Sequence, residues 1–324
     1  MKFRKLLLII MLAVVIVFAA GCTKSDDPNG GSTPDAPSDE QVWTERAGQI
    51  TEGCTTDYDK AKAIYEWECA NIAYDLDLKI YTAEECWNQR KGVCHAYCEL
   101  YVKLASHCGL QTVLIQGDAR TLSYPNGDAR HAWVKANTEK GWILIDPTWG
   151  AGYTTVDGFV FYENKNMSWF NVNPELLIFT HYPDNISNQM LNPTVMKSQY
   201  SELPLVEPAV SQAGWIGHDV LDYFLNHLGK PAPLFYLSFM ENTDKFQLVE
   251  MPYCGNMRTG ETYVLKVLSR GGGRVFSNPH LNWQQETVED GVLYQVVFQP
   301  QSEGEFVVFL NNDGIMKYDV IVSE

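Results

Sequence analysis

Three short phrases of the chain hold the residue types needed for nucleophilic acyl chemistry: Gly92-Val93-Cys94-His95-Ala96-Tyr97, His131-Ala132-Trp133 and Asp146-Pro147-Thr148-Trp149. A cysteine attacks a carbonyl as its thiolate. An imidazole can take the thiol proton and later hand it to the leaving group, and a carboxylate can hold that imidazole in one tautomer. In this pattern Cys94 is the nucleophile, His131 the base and acid, and Asp146 the orienter.

The elements that must position these residues can be read from spacing. After Gly92 the apolar residues Val93, Tyr97, Leu100, Leu104 and Ala105 recur at helical intervals, and Gly109 stops the run. Cys94 then falls in a first helical turn, where unpaired N–H groups and the helix dipole favour an anion. A buried structural cysteine is the competing reading. Residues 129–136 and 141–147 read as two strands around the polar turn Asn137-Thr138-Glu139-Lys140. If Ala136 pairs with Gly141, His131 stands directly opposite Asp146, with carbon-β atoms about 5 Å apart. A slip of one residue would put the two on opposite faces.

With Trp133 and the Asp-Pro-Thr-Trp run included, these phrases resemble the transglutaminase-like superfamily of papain-related cysteine enzymes. The resemblance covers roughly residues 55–195. It extends upstream through Ile72-Ala73-Tyr74-Asp75 and Thr82 to Arg90, and downstream through Phe179-Thr180-His181-Tyr182-Pro183. The chain is most similar to members of the kyphoscoliosis-peptidase type, in which Glu202-Leu203-Pro204 also has a counterpart. This resemblance implies acyl transfer through a thioester. Members include proteases, amide hydrolases, protein cross-linkers and inactive binding proteins, so membership does not fix the reaction. For the oxyanion, the Cys94 backbone N–H is one donor, and Gln89 is the candidate for the other among Trp87, Asn88 and Gln89, where related enzymes place a side-chain donor. Thr82 with Glu85 also reads as a helix-capping pair. Trp133, Trp149 and Tyr153 are candidates to line the substrate cleft, with Trp169 and Phe170 nearby in sequence, against the plainer reading of aromatic core. His181, before Tyr182-Pro183, reads as structural.

Lys2, Arg4 and Lys5 precede an apolar run from Leu6 to Phe18, followed by Ala19-Ala20-Gly21-Cys22. Such a run is shorter than the roughly 20 residues of a confident membrane span and reads as a secretion signal, residues 1–21. The small residues before Cys22 resemble the lipobox of bacterial lipoproteins, which implies cleavage there and diacylglycerol on the Cys22 sulfur. Thr23-Lys24-Ser25-Asp26-Asp27 resembles the acidic export tag of surface lipoproteins. The expected location is the bacterial cell envelope, lipid-anchored to the outer membrane and facing outward, with residues 22–40 as a flexible tether. Loss of residues 1–21 removes three positive charges and takes the formal charge from −16 to −19. Nucleic acid is thereby an unsuitable partner, and a protein or peptide substrate is expected.

Six cysteines remain beside Cys22 and Cys94: Cys54, Cys69, Cys86, Cys98, Cys108 and Cys254. In an oxidising compartment they permit three disulfides, and in a chain with an ample core they can equally be buried thiols. No Cys-x-x-Cys pair and no calcium-loop spacing occur, so no metal or other cofactor is expected. A helix over 57–73 should pack on the cysteine helix, and a strand over 111–117 should join the His131 and Asp146 strands. The fold class is therefore α+β, a papain-like transglutaminase core of helices on an antiparallel sheet, over residues 41–204. From residue 205, short strand-like runs such as 233–239, 262–269, 291–299 and 305–310 point to an immunoglobulin-like β-sandwich over 205–324. Three functions fit: a cysteine peptidase or amide hydrolase, which is favoured; a cross-linking transglutaminase; and a non-catalytic envelope protein that keeps the fold.

Overall fold

Helix formation in the first half follows local capping chemistry. The computed structural model describes residues 37–121, 127, 129–155 and 158–323; the expected signal peptide, Cys22 and nearly all of the tether lie outside them. The helical layer comprises α1 (Asp39–Ile50), α2 (Asp57–Asn71), α3 (Ala83–Gln89) and α4 (Cys94–His107). Thr56 caps α2 by accepting the Asp59 N–H, and Thr82 caps α3 by accepting the Glu85 N–H. Helix α2 buries Ala61, Ile64, Tyr65 and Glu68. Two phenols clamp it to α4: Tyr101 donates to the Ala61 carbonyl at 2.8 Å, and Tyr97 to the Ile72 carbonyl at 2.5 Å. These bonds satisfy buried hydroxyls that would otherwise cost about 1–3 kcal/mol each.

Short strands β1 (Ala73–Tyr74) and β2 (Lys91–Gly92) pair in parallel, with Tyr74 opposite Gly92. Gly92 is required by packing, since a carbon-β there would lie 2.8 Å from the Ala96 carbon-β and 3.0 Å from the Cys86 sulfur. The central sheet is antiparallel. It consists of β3 (Thr112–Ala119), β4 (Ala129–Thr138) and β5 (Gly141–Ile145), flanked by Phe170–Val172 beyond β5 and His181–Pro183 beyond β3. Helix α5 (Pro147–Ala151) follows β5 and leads into the small hairpin of β6 (Gly152–Thr154) and β7 (Phe161–Glu163). Tyr65, Tyr97, Leu104, Trp133, Val134 and Ile145 belong to one buried cluster between helices and sheet. All seven described cysteines are free thiols.

The β4–β5 register differs from the expected one by two residues. Thr138 pairs with Gly141 and Val134 with Ile145, so only Glu139 and Lys140 form the tip. The Glu139 carboxylate accepts the Tyr58 N–H at 3.0 Å, and the Lys140 ammonium sits 3.3 Å from the Tyr58 ring centroid. The polar Asn137 and Thr138 therefore remain in the strand. Because side chains alternate with a period of two, a shift of two keeps every residue on its expected face. His131 becomes a diagonal neighbour of Asp146 instead of a direct one.

The C-terminal region forms two sheets. One contains Phe246–Glu250, Tyr263–Ser269, Gly291–Phe298 and Gln284–Val288; the other contains Leu234–Phe235, Asp313–Ile321, Gly304–Leu310 and Val275–Asn278, with Asn256–Arg258 added in parallel. Phe246, Leu265 and Val267 from one meet Phe306, Val308 and Tyr318 from the other in a buried cluster that also takes in Phe179, Tyr200 and Phe224. The expected strand over 233–239 is a correction. Only Leu234–Phe235 is extended, and Leu237–Glu241 is helical, as are Ala209–Gln212 and Gly217–Leu225. These helices are short and make their contacts on one face, such as Val220, Leu221 and Phe224, which a strand pattern imitates over a few residues.

Candidate active site

Asp146 is held by the element it starts. As the residue before Pro147 it takes extended backbone and caps α5, its Oδ1 accepting the N–H groups of Thr148 at 2.9 Å and Trp149 at 3.1 Å. Helix α5 is itself wedged against α2, because Gly150 leaves no room for a carbon-β beside the Tyr65 hydroxyl. This fixes the second carboxylate oxygen, Oδ2. It accepts His131 Nε2 at 2.8 Å and His181 Nε2 at 3.1 Å. His131 also stands beside Cys94, whose sulfur receives hydrogen bonds from the His131 ring and from the Ala132 N–H; with Nε2 given to Asp146, Nδ1 is the ring nitrogen left for it. Three distant segments, the start of α4, the start of β4 and the start of α5, thus converge.

The electrostatics favour an ion pair. Burial alone would push the Cys94 thiol up, but the His131 charge and the hydrogen bonds from its ring and from Ala132 outweigh burial, and the thiol titrates below its ordinary value. Burial alone would push His131 down, yet the carboxylate of Asp146 and the sulfur of Cys94 raise it well above an ordinary imidazole. Asp146 is 1% exposed and remains ionised because the two histidines more than offset its burial. His181 is the reverse of His131. Buried and facing no second anion, it is lowered to about 4 and is neutral at physiological pH.

The His181 tautomer follows from counting protons. Its Nδ1 lies 2.8 Å from the Thr180 hydroxyl, which also lies 3.1 Å from the Leu177 carbonyl. An ionised Asp146 requires a proton on His181 Nε2, so the neutral ring has only Nδ1 left as acceptor. The single Thr180 hydroxyl proton therefore goes to Nδ1. His131, Asp146 and His181 are also the described group whose ligand atoms, all within 4.8 Å of one another, could surround a cation. A metal there would have to displace both N–H donors from Oδ2.

The other expected residues distribute differently. Trp149 is half-buried with its ring centroid 5.0 Å from His131 and 4.6 Å from His181, so it borders the cluster. Trp133 is 1% exposed and lies beneath His131 and His181, a core residue and not a cleft wall. Tyr153 stacks on Tyr162 on the solvent face of the β6–β7 hairpin, whereas Phe161, on the alternate face, meets Tyr74. Trp169 and Phe170 are buried. Gln89 is exposed at the last residue of α3 and, among the described residues, makes no hydrogen bond to the cluster. Two residues were not assigned a part in the chemistry. One is His181, brought in by the pairing of Ala119 with His181. The other is Tyr74, half-buried beside Cys94, whose phenol is pushed up to about 12 by burial and then by the neighbouring sulfur and Tyr81. Both belong to phrases that the family resemblance included.

Residues 44–147 match the model of the transglutaminase-like superfamily core. Kyphoscoliosis peptidase of Mus musculus is 28% identical over 169 residues, which is 48% of this chain and 25% of that protein. Hillarin of Drosophila melanogaster is 25% identical over 191 residues, 53% of this chain and 23% of that protein. The chain thus spans about a quarter of the length of the curated relatives it matches. Among solved structures it resembles a cysteine protease candidate from Cytophaga hutchinsonii, with 21% identity, a TM-score of 0.31, and coverage of 38% of this chain and 42% of that one. The match to the superfamily model encloses Cys94, His131 and Asp146 together, and it is residues 44–147 that are similar to the transglutaminase-like superfamily.

Proposed function

We propose that this chain is a cysteine hydrolase of peptide or related amide bonds, with Cys94, His131 and Asp146 as its catalytic triad. The observation that carries the reading is the continuous hydrogen-bonded path from the Cys94 sulfur through His131 to the buried carboxylate of Asp146. The thiolate attacks the carbonyl carbon and forms a C–S bond. The Cys94 N–H, free in the first turn of α4, receives the developing oxyanion, with the Tyr74 hydroxyl as the second donor in place of Gln89. The His131 imidazolium then gives its proton to the departing amine nitrogen as the C–N bond breaks. Water, losing a proton to His131, attacks the thioester, and the sulfur leaves as thiolate. Asp146 holds the ring throughout, and His181 holds Asp146.

Similarity to a relative named as a peptidase supports water as acyl acceptor. Incubation with a mixed peptide pool should release fragments or ammonia, and Cys94→Ala should stop the release. Attachment of a fluorescent amine to a glutamine-bearing protein, without net cleavage, would replace hydrolysis by cross-linking. Neither product would leave a binding protein. The anchor at Cys22 is proposed on its sequence context alone. Radiolabelled palmitate incorporated in the intact chain and lost in Cys22→Ala tests it.

A further inference from the structure

The loop between β1 and α3 carries three large apolar side chains that face water: Leu76 is 39% exposed, Leu78 54% and Tyr81 50%. It is nevertheless tightly held. The buried Asp75 carboxylate accepts the N–H groups of Lys79 at 2.7 Å and Ile80 at 2.9 Å, and it pairs with the Lys91 ammonium at 3.4 Å. Leu78 N–H donates to the Asp75 carbonyl, and Val93 N–H donates to the Ile80 carbonyl, which ties the loop to the residue before Cys94. Ile80 supplies the loop's own buried anchor. Leu78 adopts φ 54°, a left-handed conformation that suits glycine or asparagine and is unusual for leucine. Folding gains nothing from a strained leucine held out in water, and strain that persists in an over-determined loop points to recognition.

A second apolar surface borders the same place. Phe161 of the β6–β7 hairpin lies with its ring centroid 6.4 Å from that of Tyr74, and the outer face of the hairpin carries the stacked, exposed Tyr153 and Tyr162. Tyr74 stands between the two surfaces, beside both Cys94 and Tyr81. Seven of the seventeen large apolar residues exposed among the described residues fall on segments 76–81 and 153–162. The part of this apolar surface that turns towards Tyr74 is Phe161, with Leu76, Leu78 and Tyr81 exposed on the loop that follows Tyr74, and such clustering exceeds what scattered surface hydrophobics produce.

We propose that the pinned loop and the hairpin bind an aromatic or large aliphatic side chain on the acyl side of the bond attacked by Cys94. The chain then selects apolar peptide segments over glycine-rich ones. This preference rests on Cys94 being the nucleophile, and labelling of Cys94 separates the two claims. In the full chain, Cys94 is alkylated by iodoacetamide, by a peptidyl chloromethyl ketone ending in phenylalanine and by the same peptide ending in glycine. Each rate is normalised to reaction with glutathione, and the site is located by mass spectrometry. The phenylalanine reagent should react at least about tenfold faster than the glycine reagent. That ratio should fall several-fold towards one in Leu78→Asn, which keeps the left-handed conformation, and in Phe161→Ala. Equal rates in the unaltered chain would overturn the proposal, as would a preference that survives both substitutions. A Cys94 inert even to iodoacetamide would remove the nucleophile, and the preference with it.

Discussion

The region before residue 205 buries Glu68, Asp75, Arg120, His131, Asp146 and His181, whereas the region beyond it buries only Thr243, Ser269 and Ser277 as polar residues among those described. Burying an ionisable group costs several kcal/mol unless hydrogen bonds or opposite charges replace its water. The C-terminal sandwich avoids that cost with an apolar core of Phe246, Leu265, Val267, Phe306 and Tyr318. The N-terminal region accepts it and compensates locally: Asp146 receives four N–H donors, two on each oxygen. Glu68 shows the alternative. Neither of its buried oxygens has a partner, and burial raises its pKa well above that of an ordinary carboxyl, in the direction of the neutral acid. Asp146 is a buried carboxylate that keeps its charge with both oxygens satisfied, and it does so one histidine away from the Cys94 thiol.

The contrast predicts that substitutions in the two regions fail in different ways. Cys94→Ala should lower amide turnover by about four orders of magnitude or more while leaving the melting temperature nearly unchanged. Retained turnover would defeat the mechanism. Asp146→Asn should cost about 10³–10⁴ in kcat, because the amide has one acceptor oxygen, which can take either the two histidines or the cap of α5, while its NH2 group can only donate. It should also lower stability, since two buried N–H donors lose their acceptor. Phe306→Ala in the sandwich should cost about 3–5 kcal/mol in denaturant unfolding, with iodoacetamide labelling of Cys94 in the folded fraction unaltered. A labelling change there would mean that the two regions are coupled. Tyr74→Phe keeps the ring against Phe161 and removes one donor, so kcat should fall about 100-fold with little effect on unfolding.

Much of the N-terminal half was readable locally, because caps and helical spacing are local properties. The start of α4 and the capping at Thr82 follow from neighbouring residues alone. The hairpin was placed two residues out of register, and the His131–Asp146 contact survived only because an even slip preserves the face. A one-residue error of similar size in sequence would have lost it. His181 was not legible as part of the cluster, because it arrives through a strand pairing with Ala119, 62 residues earlier in the chain. Tyr74 arrives through the parallel pairing with Gly92. Gln89 was placed by proximity in sequence to Cys94, but its side chain is exposed at the last residue of α3, while Cys86 and Trp87 of the same turn pack inward. The short helices between residues 209 and 241 lack enough turns for periodicity to emerge, and their helical state depends on packing against the sandwich and against residues 176–206.

The subtlest consequence of the two-histidine arrangement is a dependence of stability on pH. His131 is raised in the folded chain, so its contribution is complete below the unfolded imidazole value of about 6.5 and is lost as pH rises towards its higher folded value. His181 behaves oppositely. With a folded value lowered to about 4, it contributes fully above about 6.5 and loses that contribution as pH falls, because the unfolded chain takes up a proton that the folded chain refuses. Between pH 6.5 and 5 both unfolded rings take up protons, and the His181 loss of about 2 kcal/mol outweighs the smaller gain still made through His131. His181→Gln retains a donor for Asp146 without a titrating ring, so its unfolding free energy should lose this acid slope while its alkaline side remains. If both proteins lose stability equally between pH 6.5 and 5, His181 is not buried as a neutral ring, and the carboxylate between the histidines is shared in another way.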